Sequence, residues 1–117
     1  MIRRKDEIRV REVKNAQGGN GSVFFHDWLL PEEAPGHGRV FSKIVLPPGS
    51  SIGYHEHQGE FEAYLVAAGS GRVIDGDKEE KIYAGDMHIC KSGSGHMTEN
   101  TGNEDLVLYA LIMNDLS

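Results

Sequence analysis

The apolar residues of this chain come in short runs, each stopped by glycine, proline, asparagine or aspartate, and no stretch of useful length carries a helical period. That pattern suits strands joined by tight turns. Ile8, Val10 and Val13 mark a first strand, closed by the turn-rich run Asn15-Ala16-Gln17-Gly18-Gly19-Asn20-Gly21. Residues 22–29 form a second, aromatic-rich strand, 31–38 a loop, and 39–46 a third strand stopped by Pro47-Pro48-Gly49. Further strands fall at 52–56, 61–68, 72–75, 79–83, 86–90, 96–100 and 106–113, with a tight turn at Gly69-Ser70-Gly71. About ten short, evenly spaced strands predict an all-β, double-sheet domain. The chain has 117 residues, 15 of them glycine and 4 proline. That length suits one domain over residues 1–117, and the glycines punctuate apolar runs, unlike a disordered tract.

Charge narrows the partners. Eighteen acidic against twelve basic residues leave a formal charge of -6, which argues against nucleic acid or an anionic membrane, both of which are bound through clustered Lys and Arg. The basic residues Arg3, Arg4, Lys5, Arg9 and Arg11 are interleaved with Asp6, Glu7 and Glu12, as in a solvated segment. Cys90 is the single cysteine, so no intramolecular disulfide forms, and a small buried thiol suits it better than a nucleophile without a base. With no signal-peptide pattern and no apolar run of membrane-spanning length, a cytoplasmic home is the expectation.

The histidines carry the chemistry. His55 and His57 stand two apart, so on a strand their imidazoles share a face, and two neutral imidazoles on one face suit a first-row divalent ion. Glu62 opens an apolar run, where an inward carboxylate needs a partner or a cation. His96 follows the glycines of Ser92-Gly93-Ser94-Gly95, which permit close backbone approach.

Together these positions fit a longer template. Gly49, His55, His57, Glu62 and Gly69 match every defined position of the first cupin motif, over residues 49–69. Gly85, Gly93, His96 and Asn100 match the second, over residues 85–100, where Lys91 replaces the usual proline. The chain therefore resembles the cupin family, as a small single-domain, RmlC-like member. The resemblance implies a double-stranded β-helix, the jelly-roll barrel, with one divalent transition metal (Mn, Fe, Ni or Zn) on His55, His57, Glu62 and His96. Three neutral imidazoles and one carboxylate would leave such an ion a net positive charge and open positions, suited to an anionic or chelating small molecule.

Other residues have two readings each. Glu60, if it shares the parity of Glu62, stands at the pocket mouth as a general acid or base, and is otherwise a solvated turn residue. Tyr64 either hydrogen-bonds a ligand or Glu62, or fills the core. His88 is left outside the ligand set, and His26 and His37 match no template position. Phe24, Phe25, Trp28 and Phe41 fill the core or a subunit contact ahead of walling a pocket.

Two functions fit this reading. One is a metalloenzyme acting on an oxygen-chelating dicarboxylate, diketone or enediol, like oxalate decarboxylases or dioxygenases. The other is a ligand- or metal-binding module without turnover; sugar isomerase-like cupins are a further alternative. The strand 106–113 is apolar on both faces, which predicts a homodimer unless the first strand folds back over one of them.

Overall fold

The computed structural model describes residues 1–117 and is built from ten strands in two antiparallel sheets. In chain order these are β1 (Arg9–Lys14), β2 (Ser22–Leu29), β3 (Gly38–Leu46), β4 (Ser51–Glu56), β5 (Glu60–Ala68), β6 (Ser70–Asp75), β7 (Lys78–Tyr83), β8 (Met87–Cys90), β9 (Gly95–Glu99) and β10 (Leu106–Asn114). The expected strand set is present, with ends shifted by a residue or two. The helical content is limited to three single 3-10 turns, one of them, Pro31–Glu33, inside the expected loop. No helix is long and apolar enough to cross a membrane.

The larger sheet has the order β1-β2-β3-β10-β5-β8 and the smaller β4-β9-β6-β7. Val23, Ile44, Leu46, Tyr64, Val66 and Leu108 all sit in the core, at most 1% exposed. Burying each such aliphatic side chain contributes about 1.5–3 kcal/mol. The alternation is clean on β10, where Leu106, Leu108, Ala110 and Ile112 are buried while Tyr109 and Met113 are exposed.

Gly69 is not the tip of a hairpin. β5 lies in the larger sheet and β6 in the smaller, so Gly69 is the point where the chain changes layers. Its φ of 81° and the crowding of any Cβ against the Asp105 carbonyl require glycine there. The motif asparagine has a comparable structural task. Asn100 is buried and donates from Nδ2 to the carbonyls of Leu46 and Glu104, both at 2.7 Å. Lys91, in place of proline, is exposed, and its carbonyl accepts the Ser94 N–H at 3.0 Å, so the turn closes without the ring.

β1 does not fold over the outer face. It pairs edge-on with β2 and lengthens the larger sheet, leaving Val10 53% exposed. Covering of that face by the first strand is thereby ruled out within the chain. Of the aromatic residues expected to fill the core or a subunit contact, Phe25 faces inward, while Trp28 packs against both Phe41 and Tyr109 on the outer face, at ring separations of 5.1 and 5.0 Å.

Candidate metal centre

The smaller sheet supplies the histidines. His55 near the end of β4 lies opposite His96 on β9, their rings 4.7 Å apart. His57 sits just beyond β4, so the two-residue spacing works without both residues lying in regular strand. Its backbone is clamped on both sides: its N–H donates to Ser94 at 3.0 Å and its carbonyl accepts from Gly93 at 2.7 Å. The glycine-rich loop before His96 thus fixes His57 as well. Gly95 has a packing reason for lacking a side chain, since a Cβ there would enter the Tyr54 ring. Glu62 reaches the same point from β5, in the opposite sheet.

The four groups converge, one ligand atom of each lying within 4.8 Å of the others. Glu62 Oε1 is 3.2 Å from His57 Nε2 and 3.1 Å from His96 Nε2, and those two nitrogens are 3.2 Å apart. Such edges are what donors about 2.1 Å from a common ion make at roughly right angles. The outer ring atoms show what the inner ones carry. His55 Nδ1 donates to the Gly53 carbonyl at 2.8 Å and His57 Nδ1 donates to Glu60 at 2.7 Å. A neutral imidazole has one N–H, so in both rings Nε2 is a bare lone pair. Lone pairs and a carboxylate pointing at one buried spot repel one another unless a cation or protons sit among them. The His3Glu cluster could therefore bind a metal ion, and its nitrogen and oxygen donors fit a divalent transition metal.

Protonation tendencies follow the same geometry. Without an ion, protons on the imidazoles take its place: burial would raise the Glu62 carboxyl, but hydrogen bonds from Nε2–H groups of His57 and His96 outweigh it and hold its pKa at about 2. His57 is raised, chiefly by its hydrogen bond with Glu62, against burial and with further help from Glu60. His55 is lowered, mainly by burial.

Glu60 and Tyr64 are both beside the cluster. Glu60 accepts from Arg39 Nε and Nη2 at 2.9 and 2.8 Å, and from His57. Its oxygens are thus occupied behind the imidazole. Tyr64 points inward, 1% exposed, with its ring stacked on His96 at 5.5 Å. Burial, then the charge of Glu62, holds its hydroxyl well above the ordinary range. Cys90 is buried, which pushes its thiol up to about 11 and suits an inert side chain.

Three neighbours were not marked as site residues in the sequence. His88 is buried, and its Nε2 lies 3.0 Å from His96 Nδ1, so it fixes the ring from behind. Its alternation with exposed Met87 and Ile89 was a signal for an inward orientation. Arg39 is brought in by a bulge. Val40 pairs with Ile112 and Gly38 with Met113, leaving Arg39 without a partner on β10 and reaching Glu60. Arg11 joins it through inward parity on β1, and local sequence had no mark for either. Both line a cavity of about 210 Å³ that ends at His55, His57 and Glu62, with Phe25, Ile44 and Ile52 among its walls.

Fold and site together define a cupin, and the family described as Cupin domain (Cupin_2) matches residues 42–112: the chain belongs to the cupin family. It is 42% identical over 113 residues to the oxalate-binding protein of Thermotoga maritima, covering 97% of this chain and 93% of that one. A Thermotoga maritima crystal structure described as a predicted oxalate decarboxylase superposes with a TM-score of 0.92 at 41% identity, covering 98% of this chain and all of that one. KdgF from Halomonas shares the fold at a TM-score of 0.76 and 12% identity, covering 98% and 94% of the two chains.

Proposed function

We propose that this chain binds one divalent transition-metal ion through His55, His57, Glu62 and His96, and that the ion's open positions take a small chelating carboxylate such as oxalate. The observation that carries this is the convergence of bare imidazole nitrogens on the Glu62 carboxylate, held in that tautomer by Gly53 and Glu60. The oxalate-binding relative supports the choice of ligand. When bound, such an ion supplies Lewis-acid polarisation or, for a redox-active metal, electron transfer.

The chain's own residues favour binding over turnover. Decarboxylation must deliver a proton to the carbon left behind, and the acids nearest the cluster are poorly placed to do so. Glu60 is committed to Arg39 and His57, and the Tyr64 hydroxyl holds its proton. The test combines elemental analysis with calorimetry. His57→Ala and His96→Ala should lose most of their metal, and metal-loaded wild type should bind oxalate while stripped protein does not. Full occupancy in both variants would overturn the site, and formate released from oxalate would overturn the reading without turnover.

We also propose that the protein self-associates through the outer face of the larger sheet. Phe41, Tyr109, Leu65 and Ile89 follow one another across β3, β10, β5 and β8, each at least 38% exposed. A second copy covers such a contiguous apolar face with one self-complementary contact.

A further inference from the structure

His96 faces the cluster with one ring nitrogen and a second histidine with the other. Its Nε2 lies 3.1 Å from Glu62 Oε1, and its Nδ1 lies 3.0 Å from Nε2 of His88. That second histidine arrives from the opposite sheet. β8 pairs with β5 so that His88 stands beside Tyr64, and the alternation that exposes Met87 and Ile89 turns His88 inward. The planes of the His88 and His96 rings differ by 30°, with centroids 5.3 Å apart, and Tyr64 stacks on His96 from another side at 5.5 Å. His96 is 0% exposed, and its backbone pairs with His55 on β4 and Asp75 on β6. A ring packed this closely keeps its orientation, so only its protons are free to move.

A bond between two neutral imidazoles holds one hydrogen, so the tautomers of His88 and His96 are linked. In the ion-free protein, Nε2–H of a neutral His96 donates to Glu62, which leaves its Nδ1 bare and makes Nε2 of His88 the donor. Ligation needs the Nε2 lone pair of His96. The His96 proton must then sit on Nδ1, and Nε2 of His88 must accept it. His88 has an outlet for this change. Its Nδ1 has no hydrogen-bond partner within the protein, and no buried side-chain nitrogen or oxygen lacks one, so solvent reaches that atom.

We propose that His88 and His96 switch tautomer together when an ion is loaded, with His88 the positioning residue that lets a fully buried ligand present its lone pair. One proton enters His88 at Nδ1 from solvent. The proton on Nε2 of His88 crosses to Nδ1 of His96, and the proton on Nε2 of His96 is released to solvent. Both rings are neutral before and after, so the protons balance. This rests on the metal-centred reading above and adds how its most buried histidine is made ready.

Long-range proton–nitrogen NMR on protein with nitrogen-15-labelled histidine shows which ring nitrogen carries hydrogen. Spectra are taken at about pH 8, above the ordinary histidine range, with and without zinc(II), a diamagnetic probe, and His88→Gln assigns the His88 signals. In wild type, His88 should change from Nε2–H to Nδ1–H on loading, although it is not a ligand. Zinc affinity supplies a second measurement. His88→Leu removes the partner and should weaken binding about 10–100-fold, whereas His88→Gln, whose amide both donates and accepts, should stay within about threefold of wild type. A His88 tautomer that is the same with and without zinc, or equal affinity of His88→Leu and wild type, would overturn this inference and leave the metal site standing. Absence of zinc binding in wild type would sink the metal-centred reading and this inference with it.

Discussion

Oε2 of Glu60 accepts the Nδ1–H of His57 at 2.7 Å while Arg39 holds the same carboxylate from the other side at 2.8 and 2.9 Å. A carboxylate behind an imidazole fixes its tautomer and makes Nε2 a stronger donor to a metal. On the proposed metal site, Glu60 would therefore act through His57.

Glu60→Gln should weaken metal binding about 10–100-fold without abolishing it, the usual cost of removing such an outer partner. Competition against a chelator of known affinity measures this. An unchanged affinity would show that the contact does not matter to the ion.

Metal affinity should also depend on pH. His57 has a raised pKa in the ion-free protein, first through Glu62 and then also through Glu60, so it binds a proton more readily than an ordinary imidazole. Below that pKa protons compete with the ion, and apparent affinity should drop by about tenfold per pH unit for each proton displaced. Equilibrium dialysis between about pH 8 and 5, a range spanning the ordinary histidine pKa of about 6.5, reads the slope. A flat profile would remove His57 from the ligand set.

Asp27 gives the chain an acid-sensitive strut. Burial would raise its pKa, but hydrogen bonds from Arg11, Ser42 and Arg9 outweigh it and leave it below the usual 3.8. A depressed folded-state pKa means stabilisation that is present above about pH 4 and lost as pH falls through the lowered value. Asp27→Asn should cost about 1–3 kcal/mol near neutrality, discounted because both arginines are partly exposed. The gap from wild type should close in acid. Urea unfolding of ion-free protein across a pH series measures both, and a gap independent of pH would assign the cost to packing.

Association should respond to the outer face alone. Leu65 is 45% exposed on β5 beside Tyr109, and Leu65→Glu places a charge in the proposed contact. Light scattering should show a shift from dimer to monomer at micromolar concentration, with metal content unchanged. A wild-type monomer would end the proposal.

The sequence exposed the strands and the convergent groups because both are local signals. Short apolar runs such as residues 106–113, glycines at the turns, and the spacing of His55, His57 and Glu62 are read within a few residues. What surrounds the cluster depends on register between distant strands. Glu60 opens β5, one residue before the expected strand start, but its partner Arg39 comes through a bulge two strands away. His88 reaches His96 because β8 closes one edge of the larger sheet while β9 lies in the other. The tight turn at Gly69 left its topology open for the same reason: a tight bend looks alike in sequence whether the next strand returns alongside or crosses to the other layer.

The convergent groups do not come from one layer. His55 and His96 belong to the smaller sheet and His57 to the loop leaving it, whereas Glu62 alone comes from the larger. An ion held by all four is therefore a rivet through the sandwich, with a single bond on one side. Breathing of the two layers and escape of the ion then become one event, so loading should slow amide exchange in β4, β9 and β5 together. Severing the Glu62 bond would leave the ion seated on the histidines while the sheets regained their freedom to part.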